Sequence, residues 1–204
     1  KTLEEPPGNG VIIITTKSDH SLPPTVVSRC AQLRMRELPF STIKKALCEQ
    51  WGASSEQSEV LARLSGGRLG WAVASLSDET VYENRASAIS RLYNLLPASR
   101  VDRFVVAEEI TKNRESLLTT LDLWSCWLRD VMHVTAGANT ALINIDQTDE
   151  VQFAASQLSV GEAARAVESV RTAQAHLTQN ANPRLTLEVL MLDIPHIKIS
   201  QHAQ

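Results

Sequence analysis

Arg29 stands between a hydroxyl and a thiol in Val-Val-Ser-Arg-Cys, residues 26–30, just downstream of Pro23 and Pro24. A planar, permanently charged guanidinium has two obvious uses at such a place. It can pair with a carboxylate, or its fork can hold two phosphate oxygens at once, which a lysine ammonium does less well. For a lone arginine the surface base rate favours the ion pair. Thr15 and Thr16 close an apolar run, at the kind of carboxyl edge where α/β sheets gather ligand-contacting groups. They are equally ordinary β-formers that end a strand. Ser-Gly-Gly-Arg-Leu-Gly, residues 65–70, lacks the Lys-Ser or Lys-Thr ending of a phosphate loop and reads as a turn between helices. His20, His133, His176, His196 and His202 are scattered, without Cys or carboxylate at ligand spacing, so no metal site is expected. Trp124 and Trp127 fall on a helical stripe and read as packing residues rather than a base-stacking platform. Glu4-Glu5 reads as a solvated helix end with no partner nucleophile.

The elements that must position these residues come from a chain of 204 residues, 43% apolar, with a formal net charge of −3. That length carries one large domain or two to three small ones, and the apolar share supplies a core. Near-neutral charge provides no general basic field for nucleic acid. Three cysteines, Cys30, Cys48 and Cys126, fit neither a disulfide framework nor a zinc pattern and read as reduced thiols of a cytoplasmic protein. No run approaches the ~20 apolar residues of a membrane span.

Lys-Thr-Leu-Glu-Glu reads as a helix end, stopped by Pro6-Pro7 and a Gly-Asn-Gly turn. Val11 to Thr16 is a continuous β-branched run, the pattern of a strand buried on both faces. Ala31 to Arg36, with Leu33 and Met35 alternating against polar neighbours, reads as a second strand. Pro24 to Ser28 forms one or two helical turns between them. Everything further on is helical. Ser41 is expected to cap a helix ending at Trp51 before Gly52, and Ser54 or Ser55 a second through Leu64, with Val60, Leu61 and Leu64 inward. A third runs from Leu69 to Leu76. A longer helix after Ser77-Asp78 carries Tyr82, Ala86, Ile89, Tyr93 and Leu96 on one face, until Pro97. Further helices are expected over 101–110, 117–134, 151–158, 160–177 and 185–194. Leu117, Leu121, Trp124, Leu128 and Val131 form the stripe of one of them, and residues 135–149 the longest linker. The fold class is thus mainly α, with an α/β remnant at its start.

The phrases Leu-Glu-Glu-Pro-Pro, a strand ending in two threonines, and a proline-containing loop leading to Ser28-Arg29-Cys30 stand in this order in the first 36 residues. Together they resemble the second half of the AAA+ module of bacterial clamp-loader subunits, the delta prime class of DNA polymerase III in particular. Asn-Ala-Asn-Pro-Arg-Leu-Thr-Leu-Glu-Val-Leu-Met-Leu, residues 180–192, is similar to that family's final collar helix. The resemblance implies a tail of the AAA+ α/β module over 1–38, a three-helix lid over 39–77 and a helical collar over 78–204. It implies that Arg29 is an arginine finger, entering a neighbour's nucleotide site to stabilise charge on the transferring phosphoryl group. It makes Thr15 and Thr16 candidates for nucleotide sensing, although delta prime members are rigid and non-hydrolysing, so the strand-ending reading takes precedence.

In ATPase members an arginine early in the third lid helix acts as a second sensor. Alignment by the glycines places Leu69, Gly70 or Trp71 there, with Arg68 out of register. The family's phosphate loop and acidic strand precede the phrase with which this chain starts, so the resemblance makes it a carboxy-terminal piece with no nucleotide or other cofactor of its own. ATP and Mg would lie at the neighbouring subunit. The implied partners are the gamma/tau and delta subunits, with the sliding clamp and primed DNA reached through the complex, and no membrane. No activity is expected of the piece alone, which would serve the polymerase holoenzyme. Two alternatives stay open: a gamma/tau-type ATPase, which would need that sensor arginine and a zinc-binding cysteine cluster, and a non-replicative helical scaffold. The resemblance further implies that the phosphate-loop strand belongs between residues 11–16 and 31–36, so that both segments should lack order or pair with other strands.

Overall fold

The computed structural model describes residues 8, 10–16, 22–138 and 141–197, with the side chains of residues 79, 114 and 115 excepted. The helix end expected over residues 1–5, with Glu4-Glu5, lies outside them, as do His20 and His202. The chain divides into two compact units, residues 1–37 and 38–204. Among the described residues the secondary structure is helical throughout.

In the first unit, α1 is Pro24–Val27. Pro24 occupies the first helical position, where its missing N–H costs nothing and its fixed φ suits the helix. The expected strands do not form: residues 11–16 and 31–36 are extended or irregular, and no described residue is paired in a ladder. They are also solvent-exposed, Ile13 at 82% and Met35 at 88%. A β-branched run favours extended backbone, but a strand is completed by hydrogen bonds from a neighbour. No described residue supplies them, and the two segments do not pair with each other.

The second unit opens with three short helices, α2 (Phe40–Trp51), α3 (Ser55–Leu64) and α4 (Leu69–Leu76). The start of α2 differs from expectation. Pro39, not Ser41, is the entry residue: its φ of −58° is preset, and its carbonyl accepts from Thr42 and Ile43 N–H at 3.0 and 3.2 Å. Gly52 ends the helix at φ +69°, a left-handed position that glycine takes without steric cost. Ser54 caps α3 through a reciprocal box with Gln57, satisfying two otherwise orphaned N–H groups. The turn after α3 is tied back when Leu38 N–H donates to Gly67 C=O at 2.9 Å. Ile43, Leu47, Leu61, Ala62 and Ala72 form a small closed core. Of the three residues expected inward on α3, Leu61 is buried, while Val60 and Leu64 are half-buried.

The rest is a helical bundle: α5 (Glu79–Leu95), α6 (Arg100–Thr111), α7 (Arg114–Thr135), α8 (Thr148–Gln157), α9 (Val160–Thr178) and α10 (Pro183–Asp193). A 3-10 turn over Ile145–Gln147 runs directly into α8, so that helix starts earlier than the apolar pattern suggests. Side-chain caps set the other starts: Asp78 on Thr80 N–H, Ser99 on Asp102 N–H, Ser159 in a box with Glu162, and Asn182 on Leu185 N–H. The buried face of α5 departs from the expected stripe: Ala86 is exposed, whereas Arg85, Ala88, Ile89, Leu92 and Leu95 are buried.

α7 lies at the centre, packed against α5, α6, α8 and α9, while α10 packs on α6 and α9. Leu117, Leu121, Trp124, Trp127, Leu128 and Val131 have no exposed surface. Trp124 Nε1–H donates to Ala88 C=O at 2.8 Å, which satisfies a buried indole and fixes α7 against α5. Trp127 meets Tyr93 edge-to-face, centroids 6.4 Å apart. Both tryptophans are thus packing residues. Truncating Leu128 removes buried methyl groups and leaves a cavity inside this stripe. Leu128→Ala should destabilise the chain by about 2–5 kcal/mol in urea unfolding, and a loss under about 0.5 kcal/mol would mean that the face is not packed.

Candidate functional site

The Ser28-Arg29-Cys30 turn is built by α1. Val26 and Val27 N–H groups bond to Pro23 C=O at 2.9 and 3.2 Å, and Ser28 N–H bonds to Pro24 C=O at 3.0 Å. Arg29 and Cys30 N–H groups then close the turn on Val26 and Val27 carbonyls. The Thr25 carbonyl receives two side-chain donors, Arg29 Nη1 at 2.9 Å and Ser28 Oγ at 3.3 Å. Ser28 therefore helps hold the same carbonyl that orients the guanidinium. Arg29 is exposed and Cys30 half-buried. Such an arrangement presents a positive fork at the surface with one arm steadied by its own helix. Thr15 and Thr16 lie on exposed chain without regular secondary structure rather than at the end of a paired strand.

Three other polar clusters, none anticipated from sequence, lie inside the second unit. Arg103 of α6 is only 5% exposed. Its guanidinium donates to five carbonyls: Leu95 (3.0 Å), Leu96 (3.1 Å), Met191 (3.0 Å), Pro195 (3.0 Å) and Ile194. Those are carbonyls at or just beyond the carboxyl ends of α5 and α10, groups with no partner inside their own helices. Burial draws the Arg103 pKa below the ordinary arginine value, yet an arginine keeps its charge in a protein. It acts as a shared carboxyl-terminal cap for two helices.

In the second cluster Asp130 of α7 has no exposed surface, and its Oδ2 accepts from Ile143 N–H (2.9 Å), Asn144 N–H (2.8 Å) and Asn144 Nδ2 (2.9 Å). Arg85 of α5 answers it from the other side. It donates to Asn144 Oδ1 at 2.8 Å and bidentately to the Asp146 carboxylate at 2.6 and 2.7 Å. The third cluster joins Lys44 of α2 to Glu59 of α3, and Glu59 to Arg63 at 2.7 Å. Hydrogen bonds from Lys44 and then Arg63 hold the Glu59 carboxyl below its ordinary pKa. Burial pushes the Cys126 thiol up, away from nucleophilic use. Among the described residues no group of His, Cys, Asp and Glu is placed to hold a metal ion. No helix among them is long and apolar enough to cross a membrane.

Comparison with known proteins recognises the bundle as well. The family model described as DNA polymerase III, delta subunit, C terminal, matches residues 79–196. The chain belongs to that family. A second family model, DNA polymerase III, delta subunit, matches residues 1–39, the stretch that carries Ser28-Arg29-Cys30. The DNA polymerase III subunit delta' of Bacillus subtilis (strain 168) is 26% identical over 196 residues, covering 94% of this chain. The chain spans 59% of the length of that curated relative. The family's carboxy-terminal bundle is therefore present here as α5 to α10, and Arg103 joins the ends of two of its helices. Arg103→Met keeps the stem but strands several buried carbonyls, so a loss of at least about 2 kcal/mol is expected in chemical unfolding. A variant as stable as the parent would show that these carbonyls find other donors.

Proposed function

We propose that the chain is part of a delta prime clamp-loader subunit working in DNA replication, and that Arg29 is a finger supplied in trans to a neighbouring subunit's ATP. In this reading residues 1–38 are the tail of an AAA+ module, 39–77 a lid and 78–204 the collar. The collar joins the subunit to gamma/tau and delta neighbours in a ring, which uses ATP to open the sliding clamp and place it on primed DNA in the cytoplasm. The observation that carries the reading is the exposed Arg29 turn, set within residues 1–39 that match the delta-subunit model. Family membership of the bundle supports it from the other end of the chain.

The chemistry follows from the geometry of a guanidinium. As the γ-phosphoryl group leaves, negative charge spreads over its oxygens, and a fork that holds two of them lowers the barrier without any proton transfer. One arm of Arg29 rests on Thr25 C=O. That contact limits the rotamers available to an otherwise exposed side chain, so less freedom is lost when it docks on phosphate. Thr15 and Thr16 remain secondary candidates for sensing nucleotide. ATP and Mg in this account are held by the neighbour, and this chain contributes charge and position.

The test uses the full-length protein reconstituted with its partner subunits. Arg29→Ala should leave the ring assembled while lowering clamp- and DNA-stimulated hydrolysis at the site it serves by about a thousandfold or more. Summed turnover falls less, because other sites keep their own fingers. Unchanged turnover in a fully assembled ring would assign Arg29 to holding its own turn.

A further inference from the structure

The second unit contains two apolar cores that share no residue. Ile43, Leu47, Leu61, Ala62 and Ala72 close the three-helix part, and a separate cluster centred on α7 closes the bundle. Tyr82 of α5 packs against the smaller core. The chain crosses between them at Ser77-Asp78, the two non-helical residues between α4 and α5. Across the same joint Arg63 Nη1 of α3 donates to the Leu142 carbonyl at 2.8 Å, a bond between residues 79 apart in sequence.

The two sides of that bond are held unequally. Leu142 belongs to a strap, residues 141–147, that the bundle grips through Asp130, which accepts three hydrogen bonds, and Arg85, which donates three. The three-helix side reaches the strap through Arg63. Its guanidinium is aimed by Glu59 at 2.7 Å and by the Phe40 ring, 4.7 Å from the guanidinium carbon to the ring centroid. Strain at the joint should therefore part Arg63 from Leu142 before it lifts the strap from the bundle or opens either core. A short non-helical link beside two closed cores is the usual form of a hinge.

We propose that Arg63 and the 141–147 strap form a latch: engaged, it fixes the three-helix part on the bundle, and released, it lets that part swing about Ser77-Asp78 with both cores intact. The latch rests on the contacts within residues 38–204 and is independent of the role given to Arg29. Opening exposes a guanidinium and a carbonyl that water can solvate, together with the Tyr82 contact on the smaller core, which is far less apolar surface than unfolding exposes.

The experiment places a fluorophore pair through unnatural amino acids at the exposed Gln50 and Gln152 of the whole chain, leaving the cysteines native, and reads single-molecule energy transfer. Arg63→Met keeps most of the side-chain bulk and removes the donor. It should raise the population of a second transfer state at least about tenfold over the parent, as loss of a charged hydrogen bond implies. Hydrogen exchange of buried amides in α2, α3, α7 and α9 should stay at parental levels. A single unchanged transfer state in a folded Arg63→Met chain overturns the latch. So does loss of protection in the small core, which would make Arg63 a stabiliser of that core. If Arg63→Met does not fold, Glu59→Gln decides. It keeps Arg63 but weakens its aim, and should give a smaller rise in the second state. No rise overturns the proposal.

Discussion

Helix α7 carries a broad apolar face that has to be hidden, and the bundle is the arrangement that hides it. A helix carrying Leu117, Leu121, Trp124, Trp127, Leu128 and Val131 on one broad face cannot be covered by a single neighbour, so α5, α6, α8 and α9 all meet it. Burying that face entails burying polar groups on the same helix. Asp130 is the costly one, since a carboxylate removed from water is tolerated only when donors converge on it. The 141–147 strap supplies those donors from its own backbone and from Asn144. Arg85 then anchors the strap to α5. Residues 141–147 of the longest linker are thus tied to the core through Asn144 and the Ile143 backbone.

Arg103 resolves a second consequence of the same packing. Two helices, α5 and α10, end close together around α6, and their last carbonyls would face protein rather than water. A single guanidinium with five donors fits that need better than water or a glycine cap, because it satisfies both helix ends at once. Its charge also lies at the negative ends of two helix dipoles. The bundle therefore combines apolar burial on α7 with charged caps, and neither set of contacts alone accounts for its shape.

Much of this was legible in the sequence where the governing physics is local. Gly52, Ser54, Asp78 and Pro97 marked helix limits through turn and cap chemistry confined to a few neighbouring residues, whereas α10 starts at Pro183, two residues before the expected 185. The stripe on α7 was visible because helical periodicity survives in the order of residues. Pairing that spans the chain was not visible. Val11 to Thr16 has every local mark of a strand, yet a ladder needs a second segment, and none lies among the described residues. Ser41 yielded to Pro39 because the chain already enters the helix at the preset φ of Pro39, which places Ser41 inside the first turn of α2. Arg85, Arg103 and Asp130 were not singled out, because nothing local in a sequence reveals partners from another element; Arg103 bonds carbonyls 88 to 92 residues away. Arg29 was singled out by its motif, and the structure shows its turn and exposure.

The functional account joins a recognised carboxy-terminal bundle to one exposed arginine in the segment before it. Its central claim is spatial: the Arg29 fork reaches phosphate bound to another subunit. Electron cryomicroscopy of the full-length protein in its assembled ring, with ADP and a fluoride mimic of the transferring phosphoryl group, tests this directly. The account predicts the Arg29 guanidinium at hydrogen-bond distance, about 3 Å, from the mimic in a neighbour's site. A guanidinium still resting on Thr25, more than about 6 Å from any phosphate group and beyond direct contact, would contradict it.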